Sequence, residues 1–234
     1  MKIQVRPYFS FSQFNSFRYS KAKFLKSYYY GQREESCYMD LGKRLGTAIQ
    51  FREKKETKLI DKIRQQIPEQ DIYEYEIRAE LGKINLLCYL DGFSKKDFSV
   101  MELKTGKSPS EKSWREQQLF YATALYLNHK KLPSKITLYW CKTEFNSKNK
   151  LVLTGDCKSY NIVITLPDVI KFSAEIIKTY KEIQTLCENE YEMFGTLPVS
   201  AKKDEKLYCK KCKIEIFSQK THICMMKNLK QQRH

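Results

Sequence analysis

Histidine is nearly missing from this chain. Of 234 residues only His129, His222 and His234 carry an imidazole, and two of these fall at the very end. A His-rich zinc hydrolase or a Ser-His-Asp triad has almost nothing to be built from, so any chemistry must rest on carboxylates, lysine or metal. Glycine and proline are also scarce, at 8 and 6 residues, which excludes collagen-like and linker-like chains. Long apolar runs are absent: the longest, Leu86–Leu90, is far short of the roughly 18 residues a membrane span needs. Met1–Arg6 opens a polar, aromatic segment with no apolar stretch, and no secretory leader is predicted. What is present, 41% hydrophobic residues, argues against wholesale disorder. The expectation is a soluble protein of the cytoplasm without a membrane partner.

Charge is plentiful and lopsided. There are 43 Lys and Arg against 27 Asp and Glu, a formal net charge of +16. Residues 201–234 carry ten basic and three acidic side chains, so +7 of the total belongs to the tail. Such an excess suits a polyanion, because neutralising phosphates releases counterions. The richness in Lys, Ile, Asn and Tyr also suits an AT-rich genome such as a phage's, which would place the protein in a host cytoplasm.

Eight cysteines without a leader read as thiols or metal ligands rather than as a disulfide framework. Cys37, Cys88, Cys141, Cys157 and Cys187 are scattered, and Cys88 and Cys141 sit in apolar runs as small core residues. The tail differs. Cys209, Cys212, His222 and Cys224 provide four soft or borderline ligands within 16 residues, the inventory of a closed tetrahedral zinc site. An iron–sulfur cluster that also draws on Cys37 or Cys187 is the alternative.

Periodicity orders the rest. Ser10–Tyr30 has a helical rhythm ended by Gly31, and Asp40 is positioned to cap a helix with Leu41, Leu45, Ala48 and Ile49 on one stripe. Gly42 and Gly46 lie on adjacent turns of it and would let another backbone approach. A charged helix is predicted over Arg52–Arg64. The period then changes to two, giving strands over Ile72–Leu81, Lys83–Phe93 and Phe98–Thr105. Ser110–Leu127 returns to helical spacing with Trp114, Gln117, Tyr121 and Leu125 on one side. Ile136–Cys141 reads as a buried strand, Leu151–Leu153 and Tyr160–Thr165 as weaker ones. Thr165-x-x-Asp168, with Pro167 between them, opens a long helix closed by Gly195 and Pro198. This order describes an α/β layered domain over residues 1–200, with a small metal-sized appendage over 201–234.

The chemistry-bearing residues gather on the second and third strands. Asp91 closes one in Leu90-Asp91-Gly92, and Glu102-Leu103-Lys104 lies on the next. Residues i and i+2 of a strand share a face, so Glu102 and Lys104 point the same way while Leu103 packs inward. A short hairpin brings Asp91 beside Glu102. Two carboxylates joined by the Leu103 backbone carbonyl are hard oxygen ligands suited to Mg²⁺ or Mn²⁺. Lys104 alongside could orient a water and offset charge on a phosphorane. On the following helix Gln117 and Tyr121 stand one turn apart.

In order along Ser10–Tyr126, these pieces resemble the RecB-like branch of the PD-(D/E)XK nuclease superfamily. That branch has a Ser-x-Ser aromatic helix, here Ser10 and Ser12 to Tyr30, then a Gly-Thr-x-x-His helix matched by Gly46 to Gln50. Asp-Gly and Glu-x-Lys strands follow, at Asp91 and Glu102–Lys104, and then a Gln-x-x-x-Tyr helix at Gln117 and Tyr121. Gln50 stands in place of the motif histidine, and Ser20 stands near the place where many relatives carry the first cysteine of an iron–sulfur cluster. The resemblance implies a restriction-endonuclease-like core, a central mixed sheet flanked by helices, over 1–200. It implies metal-dependent hydrolysis of DNA, single-stranded or linear duplex, in recombination, repair or processing, by an exonuclease, with room for a helicase or recombinase partner. Asp91, Glu102 and the Leu103 carbonyl would hold the metal, Lys104 would position water, and Gln117 and Tyr121 would orient the lysine and contact the DNA backbone. A DNA-binding or adaptor protein that has lost turnover through Gln50, and a resolvase-like structure-selective endonuclease, are the competing expectations.

Overall fold

In the computed structural model the described residues are 5–32, 36–52 and 57–199. They divide between two compact units, one within Glu35–Ala174 and the other drawn from Met1–Glu34 and Glu175–His234. The proposed zinc ligands Cys209, Cys212, His222 and Cys224 lie outside the described residues.

The Glu35–Ala174 unit is built on a five-stranded mixed sheet in the order β1-β2-β3-β4-β5. Strands β1 (Ile72–Leu81), β2 (Ile84–Ser94) and β3 (Ser99–Gly106) pair antiparallel in sequence. Helix α5 (Glu111–His129) then crosses over so that β4 (Lys135–Phe145) lies parallel to β3. Finally β5 (Leu151–Ile162) turns back antiparallel to β4. The expected mixed sheet with flanking helices is therefore present. Gly82, at φ +62°, makes the first hairpin turn in a backbone region that disfavours side chains.

Helix α3 (Cys37–Gln50) packs on β3 and β5, and α4 (Lys58–Gln66) on β5. Their apolar sides, Leu45, Ala48 and Ile49 from α3 with Ile60 and Ile63 from α4, join Met101, Cys141 and Leu153 of the sheet in one core cluster. Helix α5 covers β1 and β2, with Phe120, Ala124 and Leu125 fully buried. Alternation along β3 separates the two sides: Met101 and Leu103 belong to the α3–α4 core, whereas Glu102 bonds to α5.

Three local expectations are corrected. The cap of α3 is Ser36, whose hydroxyl accepts the Met39 N–H at 3.3 Å, and Asp40 falls inside the first turn. The charged helix starts only at Lys58, capped by Thr57. The two weak strands are one, β5, continuous through a bulge at Gly155 (φ +85°).

The second unit contains α1 (Phe11–Tyr19), α2 (Lys21–Phe24), a π-helical turn over Leu25–Tyr29 and most of α6 (Leu166–Phe194), whose first turns belong to the other unit. The single helix expected over Ser10–Tyr30 is broken at Ser20. That residue is extended, and its hydroxyl accepts the Lys23 N–H at 3.2 Å, starting a new helix where the first one stops. Phe17, Phe24 and Tyr28 then pack ring on ring, and Phe9 meets Tyr180 edge-on at 5.3 Å. The Thr165–Asp168 cap of α6 forms as expected, with the Asp168 carboxylate accepting the Thr165 N–H at 2.9 Å.

Candidate active site

The sheet is forked at its centre. β2 and β3 are paired only from Ser94↔Ser99 to Gly92↔Met101, after which β2 continues beside β1 and β3 beside β4. Asp91 stands at the crotch of the fork. Its Oδ2 accepts the Leu103 N–H at 2.7 Å, so a side chain takes over as acceptor where the backbone ladder ends. N–H and C=O of an extended residue leave on the same edge, which turns the Leu103 carbonyl toward the fork as well.

Glu102 is 1% exposed. Its Oε1 accepts from the Lys104 ammonium and from Gln117 Nε2 at 2.9 Å, and the same Gln117 amide donates to the Tyr121 phenol at 2.6 Å. Lys104, Glu102, Gln117 and Tyr121 thus form one hydrogen-bonded chain from β3 to α5. Helical spacing places Gln117 over Tyr121, and strand alternation places Glu102 beside Lys104. The other oxygen, Glu102 Oε2, is buried and has no partner among the described residues.

An unpartnered buried carboxylate oxygen costs free energy, and the site's titration reflects it. Burial, reinforced by Asp91, pushes the Glu102 carboxyl up to about 8 against the pull of Lys104 and Gln117. Burial also raises Asp91, opposed by Lys104 and the Leu103 N–H. For Lys104 burial acts downward, but Glu102 and Asp91 outweigh it and hold the ammonium above its ordinary value. Burial and the two carboxylates push the Tyr121 phenol far up, keeping it neutral where it accepts from Gln117. The pattern is that of a pocket with more negative charge than one lysine neutralises.

A cavity of about 490 Å³ opens beside the fork, and Lys43, Gly46, Gln50, Glu74, Asp91 and Lys104 are among the residues lining it. Gln50, from the end of α3, is therefore brought to the predicted catalytic residues. Gly42 and Gly46 do not receive another backbone. A Cβ on Gly46 would meet nothing within 4 Å, and one on Gly42 would meet only the Thr105 hydroxyl at 3.6 Å. The two glycines leave the α3 wall of the cavity bare. At the start of α1, in the other unit, the Ser10 and Ser12 hydroxyls lie 3.0 Å apart.

Glu74 escaped the sequence reading. It sits opposite Asp91, between the pairs Tyr73↔Gly92 and Tyr75↔Leu90, with a left-handed φ of +50°. Burial and the neighbouring Asp91 raise its carboxyl. Alternation made Glu74 equivalent to Glu76, which is indeed an ordinary surface acid bonded to Arg78 and Tyr89. The backbone twist at position 74 breaks that equivalence, and only its place opposite Asp91 in the hairpin register could have pointed to it. Among the described residues no group of three or more His, Cys, Asp or Glu side chains is placed to hold a metal ion.

Comparisons with known proteins bear on this architecture. No family model matches the chain, and no curated protein matches it in sequence. Among solved structures, the chain superposes on a protein named as a candidate exonuclease from Eubacterium rectale with a TM-score of 0.52 and 12% identity, over 76% of this chain and 80% of that one. A phage-related exonuclease from Haemophilus somnus 129PT matches with a TM-score of 0.48 and 12% identity, over 82% of this chain and 96% of that one. The first of these likenesses is one of fold. Among the described residues no helix is long and apolar enough to cross a membrane.

Proposed function

We propose that this protein is a metal-dependent deoxyribonuclease of PD-(D/E)XK type. The observation that carries the reading is the buried Glu102, with one oxygen held by Lys104 and Gln117 and the other unpartnered, next to Asp91 at the open fork. Hard carboxylate oxygens with surplus negative charge fit Mg²⁺ or Mn²⁺, and Asp91, Glu102 and the Leu103 carbonyl are the groups that would hold the ion. When bound, such an ion polarises the phosphoryl oxygen and makes hydroxide available near neutral pH.

The chain's own residues do the remaining work. Lys104, fixed by Glu102, presents a cation to the attacking water and to charge building on the phosphate. Gln117 fixes the orientation of Glu102, and Tyr121 in turn fixes Gln117. The bare α3 wall and Lys43 give the sugar-phosphate strand room and a counter-charge. An exonuclease mode in recombination, repair or DNA processing follows the resemblance. The tail residues Cys209, Cys212, His222 and Cys224 are proposed as a structural zinc site. Metal analysis showing neither zinc nor iron at one equivalent would end that idea.

The deciding experiment is degradation of end-labelled linear single- and double-stranded DNA, beside circular controls, with Mg²⁺, Mn²⁺ or chelator, for wild type and Lys104→Ala. Metal-dependent loss of linear DNA, absent in the variant, is expected, and intact circles would show that ends are required. Gln50 on the cavity wall favours one second reading, a DNA-binding protein without turnover, because an amide binds a cation more weakly than imidazole and cannot titrate. Binding without cleavage by folded protein in either metal would select it.

A further inference from the structure

Away from the fork, β4 and β5 place two thiols face to face. Cys141 and Cys157 are direct register partners, and their sulfurs lie 3.5 Å apart, with the Cys141 thiol donating to Cys157 Sγ. Both are free. Directly opposed residues of an antiparallel pair have Cα atoms about 4.5 to 5.5 Å apart, inside the roughly 4.4 to 6.8 Å range of disulfides. The sulfurs need to close to about 2.0 Å, and the ladder is free to adjust because its register shifts immediately beyond this pair.

The two thiols differ in access. Cys141 is fully buried in the core, whereas Cys157 is half-buried and lines a cavity of about 410 Å³ with Lys62, Lys142 and Lys158 against a single acid, Asp156. The hydrogen bond from Cys141 holds the Cys157 thiol below its ordinary value despite burial. A reachable, activated thiol backed by a sheltered one is the arrangement of a redox pair.

We propose that Cys157 is a peroxide-reactive thiol and that Cys141 resolves it to a disulfide joining β4 to β5. The Cys157 thiolate attacks one oxygen of a hydroperoxide such as hydrogen peroxide. The O–O bond breaks, the leaving hydroxide takes a proton to depart as water, and the sulfur becomes a sulfenic acid. Cys141 Sγ then attacks Cys157 Sγ, the S–S bond forms, and the S–O bond breaks. The second hydroxide leaves with the Cys141 proton as water. Two thiols and one peroxide thus yield one disulfide and two waters, and a dithiol reductant reverses the change.

The test treats the full-length reduced chain with graded hydrogen peroxide, blocks remaining thiols by alkylation and maps peptides by mass spectrometry. Expected is a linked peptide pair joining Cys141 to Cys157, lighter by two hydrogens and reversed by dithiothreitol. It should form at peroxide doses that leave the exposed Cys37 largely alkylatable. In Cys141→Ser, dimedone should trap sulfenic acid at Cys157. Free thiols at both positions once Cys37 is consumed would overturn the proposal, as would linkage of either cysteine to another partner first. The wild-type experiment decides alone if the variant does not fold.

Discussion

Replacing Glu102 with glutamine tests whether the buried carboxyl is built for a cation. Burial and Asp91 hold it at about 8 in the folded chain, against 4.5 for an ordinary glutamate. A raised value means that folding favours the neutral acid. Its contribution to metal-free stability is therefore complete below about pH 4.5 and is lost as pH rises through about 8. At about 1.4 kcal/mol per pK unit the loss is a few kcal/mol and at most about 5 kcal/mol. For a chain of this size that is a fall in melting temperature on the order of 10 °C. Glu102→Gln keeps the shape, keeps an acceptor for Lys104, and removes the titration. Melting curves of metal-free wild type and variant, followed from about pH 4.5 to about pH 9, should diverge, the wild type losing more stability than the variant, in which the raised Asp91 and Glu74 carboxyls still titrate. Mn²⁺ at about a hundredfold its dissociation constant should then restore about 3 kcal/mol to the wild type at high pH and little to the variant. Parallel pH curves, or equal stabilisation of both proteins by Mn²⁺, would refute the assignment of Glu102 as the metal-linked acid.

Three further outcomes are expected. Asp91→Asn retains an oxygen to accept the Leu103 N–H, so its melting should stay within about 1 kcal/mol of wild type while cleavage falls at least about 100-fold. Gly46→Ala meets open space and improves helix propensity, so it should stabilise the fold by about 1 kcal/mol and yet weaken DNA binding severalfold; unchanged binding by fluorescence anisotropy would show that the strand does not pass the α3 wall. Glu74→Gly releases a left-handed backbone that costs other residues about 1 kcal/mol, so stability should hold or rise slightly. Its cleavage rate should fall less than about tenfold if the proposed ligands Asp91, Glu102 and the Leu103 carbonyl hold the metal without it.

Much of this was legible in residue order because local signals agree with the fold. Strands β1 to β3 lie within a residue or two of their period-two runs, since glycines and short polar turns separate them. Asp91, Glu102 and Lys104 were legible for the same reason: two neighbouring strands and one short turn suffice to bring them together. Gln117 and Tyr121 needed only helical spacing. Other features depend on tertiary context. Edge strand β5 alternates weakly because one side of its ladder is unpaired and its bulge shifts the pattern, and it read as two fragments. Ser20 could continue a helix or cap a new one, and residue type alone does not choose. The Cys141–Cys157 contact follows from register, which no property of either cysteine announces.

The fork at Gly92 and Met101 sets a condition on the whole site. Neighbouring strands left to themselves tend to zip, because every further pair satisfies two more backbone groups. Two more residue pairs of the β2–β3 ladder would bring Leu90 opposite Leu103 and seal the crotch. Asp91 prevents this as a wedge would, by satisfying the Leu103 amide without bringing the rest of its strand along. The same carboxylate that is proposed to hold the cation thus keeps open the space in which the cation would lie. A sheet deprived of that wedge, as in Asp91→Ala, would gain order in its middle, and amide exchange at Leu103 would slow even as the site disappeared.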